Sequence, residues 1–186
     1  SAGSSRWNSA VPRMASDGRR AKGERRRRLL LDATLRLVGR AGVAAVTQRA
    51  VAAEAEVAPS AVLYYFPTVD ELLVAALVDV NDRWVAAVGD LPADRSDALD
   101  ALAELVVASP TGDEGLAEFE LYLLAARRPE LRPELDRWWH ALDDLAARLA
   151  PDREVAFAAA LDGLFLRAST GVDLPDVRTV LEQLTS

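Results

Sequence analysis

The sequence predicts an all-α protein in which an N-terminal three-helix unit precedes a larger helical domain. Three observations support this prediction. Apolar residues recur at steps of three and four in one segment after another, N-cap residues and prolines stand where those segments begin, and no strand-like alternation of apolar and polar residues occurs. We expect three regions: a disordered tail over residues 1–20, a helix-turn-helix unit over 21–67, and a helical regulatory and dimerisation domain over 68–186.

The composition excludes several classes of site. The 186 residues include no cysteine and one histidine, so a Cys/His zinc site, a cysteine nucleophile and a disulfide scaffold are ruled out. His140 shares a helix turn with three aspartates, which is typical of a solvated polar face. We therefore expect no metal, no cofactor and no enzymatic activity. No uncharged stretch reaches the ~20 residues of a membrane span, so we expect a cytoplasmic protein.

The first 20 residues are rich in Ser, Gly and Pro and show no apolar period, which predicts disorder. Met14 is the only methionine, and we expect the native start at or near it, with residues 1–13 added upstream.

The next segments predict three helices. Apolar residues at helical spacing cover residues 24–40, and Gly42 is a plausible stop. Thr47 predicts the N-cap of a short helix from Gln48 to about Glu54. Pro59 stands at the first position of a second short helix, which we expect to end at Phe66, before Pro67.

The remainder predicts six more helices. Thr68 and Glu71 form a capping box that opens a long helix ending near Gly89. Prolines and glycines then separate apolar-periodic segments at 94–108, 113–127, 132–149, 153–170 and 175–184.

The charge is divided unevenly along the chain. The net charge of −7 argues against a nucleic-acid partner, but residues 1–66 hold twelve basic and five acidic side chains, whereas residues 67–186 hold ten basic and 24 acidic ones. The first part therefore carries +7 and the second −14, which favours a nucleic-acid-facing unit joined to a different one.

The three helices within 24–66 follow the plan of a helix-turn-helix, with a second short helix able to enter a major groove. At this point the sequence resembles the tetracycline-repressor (TetR) family of regulators. The resemblance lies in residues 30–33 (LLDA), 46–52 (VTQRAVA), 57–66 (VAPSAVLYYF) and 67–73 (PTVDELL). It implies an N-terminal DNA-binding unit and an all-helical domain for ligand binding and dimerisation.

Three positions depart from the family pattern. Glu56 stands where the turn usually has glycine, so either a left-handed backbone there is strained or the turn differs from the family's. Leu63 and Val69 replace a tyrosine and a lysine that often contact phosphate. These changes leave open which residues contact the phosphates of the DNA backbone.

Candidate DNA contacts lie on the second short helix, on the start of the first, and in the basic run before them. Ser60 can reach a base edge, Ala61 a thymine methyl, and the tyrosines phosphates, while Arg49 is the charged candidate. The alternative is that the aromatic residues only pack a small helical domain. The full set is Arg25, Arg26, Thr47, Gln48, Arg49, Pro59, Ser60, Ala61, Tyr64, Tyr65 and Thr68.

Two sets of residues in the larger domain carry further predictions. By resemblance, a ligand pocket would lie among Trp84, Phe119, Tyr122, Trp138 and Trp139, although for any one of them the spacing favours ordinary core over a pocket. Helix 153–170 is apolar nearly all the way round, so we expect it to face a second subunit, with a buried helix of the monomer as the alternative. The dimer candidates are Phe157, Leu161, Gly163, Leu164, Phe165 and Ala168.

The sequence thus predicts a homodimeric TetR-like regulator, a repressor that leaves a pseudo-palindromic operator when a small molecule binds. The long helix after Thr68 would transmit the shift. An enzyme or carrier would need a catalytic or phosphate-binding motif, and none is present. A helical interaction or small-molecule-binding protein that no longer binds DNA remains as an alternative.

Overall fold

A computed structural model describes residues 13–185, and within that range the chain is helical without a strand. Short 3-10 turns cover Val43–Ala45 and Pro129–Leu131. The α-helices are α1 (Arg13–Ala41), α2 (Gln48–Glu54), α3 (Pro59–Tyr65), α4 (Val69–Gly89), α5 (Arg95–Val107), α6 (Asp113–Arg127), α7 (Arg132–Leu149), α8 (Glu154–Ser169) and α9 (Val177–Leu184). The all-α prediction is confirmed, and α5 to α9 each begin and end within two residues of their predicted bounds.

The start of α1 corrects the sequence-based boundary. The helix begins at Arg13 rather than Glu24, so residues 13–20 are helical and the disordered tail predicted for 1–20 is wrong there. Residues 1–12 lie outside the described residues. Extending a helix costs far less than starting one, and the arginine, lysine and alanine residues of this segment favour extension even without an apolar face and despite Gly18 and Gly23.

Side-chain caps fix the two short helices and the start of α4. The Thr47 hydroxyl accepts the Ala50 amide at 3.0 Å, and the Thr68 hydroxyl accepts the Glu71 amide at 3.1 Å. Pro59 occupies the first turn of α3. Each predicted N-terminus is therefore confirmed, and α3 is held between two short, well-defined turns.

Two hydrophobic cores organise the described chain. The first core contains residues of α1, α2, α3, α4 and α6 and of the start of α7, among them Leu121 and Leu135. The second joins the end of α4 with α5, α7, α8 and α9, around Phe157 and Leu161. The predicted boundary at residue 67 does not separate these cores, because α6 completes the core of the N-terminal unit.

The contact between α1 and α6 is unusually close. A Cβ atom at Gly39 would overlap the backbone carbonyl of Asp113, so only glycine fits where the two helices meet. A few residues further along, the Val43 amide donates to Glu120 Oε2 at 3.1 Å. The start of α6 is thus held against the end of α1 by close backbone contact and by a hydrogen bond.

Among the described helices, no single one is long and apolar enough to cross a bilayer. The pair α3 and α4 reaches that length and apolarity together, but the two helices are bent by 68° at their junction.

Glu56, between α2 and α3, adopts a left-handed backbone, which is the first of the two alternatives that the sequence leaves open for this turn. Its φ is +52°, and it is the one non-glycine residue with positive φ in the described chain. A side chain in this conformation costs about 1 kcal/mol relative to glycine.

Glu56→Gly should raise the free energy of unfolding by up to about 0.5 kcal/mol, because relief of strain outweighs the extra entropy of the unfolded chain. Urea denaturation monitored by circular dichroism measures the change. Ala53→Gly, at an exposed position within α2, is the matched control and should destabilise by about 0.5–1 kcal/mol. A stability of Glu56→Gly equal to or below that of the parent chain would contradict the strain.

Candidate functional site

The first candidate site is the outer surface of α3 and the start of α2. The structure leaves Arg49, Pro59 and Ser60 exposed, together with Thr47 and Thr68 at the two caps. Tyr64 is the most open of the large side chains here, with 81% of its surface accessible. Gln48, Ala61 and Tyr65 are partly buried.

A groove runs between the basic part of α1 and α3. Its walls carry Arg25 and Arg26 from α1 and Ala61, Tyr64 and Tyr65 from α3, with Lys22 at its edge. The rings of Tyr64 and Tyr65 meet edge to face at 5.1 Å, so Tyr65 supports the exposed Tyr64. The N-terminal half of α1 therefore places cations beside α3, the helix that the sequence predicts to enter the major groove.

The arginines near this groove divide into structural and free ones. Arg28 binds Asp79 at 2.6 Å, Arg36 and Arg40 both bind Glu54, and the Arg27 guanidinium lies 5.5 Å from the centre of the Phe66 ring. Within the described chain, no ion pair or hydrogen bond occupies the side chains of Lys22, Arg25, Arg26 and Arg49. These four cations remain available to an external anion.

Gln48 has a structural role that the sequence did not reveal. Its amide nitrogen donates to the carbonyls of Phe66 at 3.1 Å and Pro67 at 2.6 Å, which ties the start of α2 to the end of α3. Thr47 and Thr68 likewise accept backbone amides as N-caps. All three residues were predicted as DNA contacts, and each first serves to fix the orientation of α3.

The second candidate site is a cavity of about 420 Å³ surrounded by α4, α5, α6, α7 and α8. All five predicted ligand residues line it, and Phe165 of α8 adds a sixth aromatic ring. The aromatic walls are Trp84, Phe119, Tyr122, Trp138, Trp139 and Phe165.

The aromatic rings stack into one continuous wall. Trp84 and Trp138 have ring centroids 4.5 Å apart, Trp138 and Tyr122 lie 4.9 Å apart, and Phe165 meets Trp84 edge-on at 5.3 Å. Trp84 is 8% exposed, and its indole nitrogen has no hydrogen-bond acceptor among the described residues. Buried indole N–H groups ordinarily donate a hydrogen bond, so this group lacks an acceptor that a bound ligand could supply.

A buried polar network fixes three of the cavity's helices. The side chain of Asn81 in α4 is fully buried, and its Oδ1 accepts the Tyr122 hydroxyl at 3.0 Å. Its Nδ2 donates to the Glu134 carbonyl at 2.7 Å and to the Glu134 carboxylate at 2.8 Å. Because α4, α6 and α7 all contribute, movement of one helix disturbs the other two.

Three charged side chains line the cavity. Arg83 pairs with Asp79 at 3.5 Å and with Glu118 at 3.9 Å. Burial raises the pKa of Glu118 above its usual range, against the opposing effect of Arg83, and burial raises the pKa of Asp162 to about 6. The pKa of Tyr122 also rises, chiefly through burial and then through the nearby carboxylates, so it stays a neutral donor.

The predicted dimer residues need correction. Phe157, Leu161, Leu164 and Ala168 are buried in the second core of the chain itself, while Gly163 and Phe165 line the cavity. The prediction of a subunit interface is wrong for the four buried side chains, because α5, α7 and α9 pack on α8 within one chain. The outer side of α8 instead exposes Val155, Ala159 and Leu166.

The sequence analysis missed Asn81, Arg83, Glu118 and Asp162. Asp162 carried a signal, since it is one of only two charged residues between Glu154 and Asp173. The others are polar residues on otherwise ordinary helices, and only the packing shows where they point. In the described part of the chain, no cluster of three His, Cys, Asp or Glu side chains could hold a metal ion.

Family comparisons cover both parts of the chain. Residues 30–76 match the model of "Bacterial regulatory proteins, tetR family", and residues 93–186 match "Tetracyclin repressor-like, C-terminal domain". A curated relative is the HTH-type transcriptional regulator BetI of Brucella anthropi, 29% identical over 84% of this chain and 88% of its own length. The HTH-type transcriptional repressor KstR of Mycolicibacterium smegmatis is 39% identical over 47% of this chain and 46% of its own.

Solved structures show the same architecture. The multidrug binding protein EbrR, complexed with malachite green, has a TM-score of 0.66 and 34% identity over 86% of this chain and 98% of its own. A TetR-family member from Streptomyces coelicolor A3 (SCO1917) has a TM-score of 0.67 and 34% identity over 87% and 98%. Family models and full-length relatives agree with the helix-turn-helix and the helical domain described above, and this chain therefore belongs to the TetR family of bacterial transcriptional regulators.

Proposed function

We propose that this chain is a cytoplasmic repressor that binds a pseudo-palindromic DNA operator as a homodimer and leaves it when a small organic molecule enters the aromatic cavity. One observation carries the DNA-binding part of this proposal: four uncommitted cations and the exposed Tyr64 surround α3. Similarity to EbrR, solved with malachite green, ethidium and proflavin, supports the small-molecule part.

The geometry of α3 suits one half-site. Its seven residues span about 10 Å, enough for a few base pairs of a major groove. Tyr64 lines one groove with Arg25 and Arg26, and Arg49 is exposed on the neighbouring α2, so these side chains can bind phosphates and fix the register.

Arg49→Ala should weaken binding to DNA from the chain's own promoter region by about tenfold, and should reduce the slope of log affinity against log salt by about one, because one phosphate contact is lost. Fluorescence anisotropy at several salt concentrations measures both quantities. Arg95→Ala, which removes an exposed arginine at the start of α5, is the matched control.

Equal affinities and salt slopes for Arg49→Ala and Arg95→Ala would contradict the assignment of Arg49. Absence of salt-sensitive binding by the unaltered dimer would contradict the DNA-binding function itself and favour a helical binding protein.

The dimer requires an exposed apolar face, and the outer side of α8 offers one. Val155 is 85% exposed, and Ala159 follows it one turn later on the same side; Gly163 and Leu166 continue this side at positions that also line the cavity. A Cβ atom at Gly163 would meet no atom within 4 Å, so this part of α8 is open to close approach by another helix. We assign the subunit contact to this side in place of the buried stripe.

Val155→Glu should convert the dimer to a monomer and lower operator affinity by at least tenfold, because a charge in an apolar interface is left unpaired and both half-sites must be bound together. Analytical ultracentrifugation measures the association. Val107→Glu alters an equally exposed valine at the end of α5 and should leave a dimer. A dimeric Val155→Glu protein would place the interface elsewhere.

Two routes connect the cavity with the DNA-binding unit. Along α6, the cavity residues Glu118, Phe119 and Tyr122 flank Glu120, whose carboxylate holds the Val43 amide. Along α4, Arg83 joins Glu118 to Asp79, which in turn holds Arg28 of α1. A ligand that favours a different arrangement of α4 and α6 would therefore change the orientation of α3, which is how its binding would lower operator affinity.

A further inference from the structure

We propose that the cavity selects aromatic organic cations, with the Asp162 carboxylate as the counter-charge of the bound ligand. The inference deepens the proposed function and rests on it in taking the cavity as the effector site. It concerns the chemical class of the ligand and the residue that sets it.

The Asp162 carboxylate has no cationic partner among the described residues. It lines the cavity from α8, and no lysine, arginine or histidine of the described chain lies within ion-pair distance. A carboxylate withdrawn from water and left unpaired is costly, and the cost falls when a positive charge is placed beside it. A cationic ligand supplies that charge, whereas a neutral one leaves the carboxylate uncompensated.

Arg83 is not available to pair with an anionic ligand. It is the one arginine of the cavity lining, and its guanidinium already faces two carboxylates, Asp79 at 3.5 Å and Glu118 at 3.9 Å. Among the residues that line the cavity, two acids, Glu118 and Asp162, stand against one base, Arg83. An anion entering the cavity would therefore meet net repulsion, and a cation net attraction.

The walls favour a flat aromatic cation over a compact one. Trp84, Trp138 and Tyr122 form a continuous series of tilted ring contacts along the cavity wall, and aromatic rings attract cations most strongly where water is excluded. The volume of about 420 Å³ is suited to a drug-sized molecule. The unpartnered Trp84 indole N–H additionally favours a ligand that carries a hydrogen-bond acceptor.

A matched pair of probes isolates the charge. 10-Methylacridinium is a permanent cation, and acridine has the same three rings and is mainly neutral at pH 7.5. Isothermal titration calorimetry with the full chain should show the cation binding at least tenfold more tightly. Equal affinities, or tighter binding of acridine, would overturn the proposal.

Asp162→Asn tests the residue. The substitution should lower the affinity for 10-methylacridinium at least tenfold and leave that for acridine within twofold, since shape and volume are kept. Asp144→Asn, which makes the same change at an exposed position of α7, should affect neither probe. An unchanged preference for the cation in a folded Asp162→Asn protein, verified by its thermal unfolding, would overturn the role of Asp162.

The affinity should also depend on pH in a defined direction. Because the pKa of Asp162 is raised to about 6 in the free protein and a bound cation favours the ionised form, affinity is full above pH 7 and is lost as the pH falls through 6. From pH 7.5 to 5.0 we expect about a tenfold decrease. The permanent charge of 10-methylacridinium ensures that the ligand itself does not titrate.

The other titratable or charged groups of the lining are Arg83 on α4 and Glu118 and Tyr122 on α6, while the lining residues of α5 and α7 carry none. The pH dependence should persist in Glu118→Gln and disappear in Asp162→Asn. Persistence in Asp162→Asn would overturn the assignment to this carboxylate.

These measurements use no DNA, so the two proposals fail separately. Loss of operator recognition would contradict the proposed function and leave the cation preference standing. Equal affinities of the cavity for the cationic and the neutral probe would contradict this inference and would leave the DNA-binding function standing.

Discussion

The rest of the structure depends on the contact between the end of α1 and the start of α6. Gly39 allows the α1 backbone to rest against Asp113, and Glu120 accepts the amide of Val43 just beyond the end of α1. The N-terminal unit also completes its hydrophobic core with Leu121 of α6. The unit that carries α3 is therefore packed against the larger domain and does not form a core of its own.

This contact gives the cavity a physical means of acting on DNA. α6 contributes Glu118, Phe119 and Tyr122 to the cavity and Glu120 to the contact with the N-terminal unit, all within two helical turns. Close-packed helices have few alternative arrangements, so a ligand that displaces α6 must displace α1 or break the contact. The buried Asn81 network extends the same constraint to α4 and α7.

Local signals in the sequence were enough to predict most helices. The caps at Thr47 and Thr68, the proline at 59 and the apolar spacing of the later segments each reflect interactions within one turn of the chain, so they can be read without the fold. At Glu56 the family pattern, with its usual glycine, left a strained left-handed turn and a different turn as alternatives, and the structure shows the first. The five aromatic residues were grouped correctly, although resemblance rather than spacing joined them.

The errors arose where tertiary packing decides. The apolar stripes of α8 indicate packing partners on two sides. The sequence does not say whether these partners are neighbouring helices or a second subunit. Phe157 and Leu161 pack against neighbouring helices of the same chain. The α1 extension lacks an apolar face, so periodicity alone could not detect a helix at residues 13–20. The structural role of Gln48 could not be predicted, because its bonds to Phe66 and Pro67 join residues far apart in sequence.

The central claim is that the α1–α6 contact couples the cavity to operator binding, and the coupling factor tests it most directly. This factor is the operator dissociation constant at saturating 10-methylacridinium divided by that without ligand. The account predicts a factor of at least ten for the unaltered chain and for Gly18→Ala, whose Cβ would meet no atom within 4 Å. We expect a clearly smaller factor for Glu120→Ala, which removes the acceptor of the Val43 amide without crowding the helices and leaves the Gly39 contact and the ion pair between α4 and α1 in place. A Glu120→Ala protein that binds both partners and keeps the full coupling factor would contradict the account.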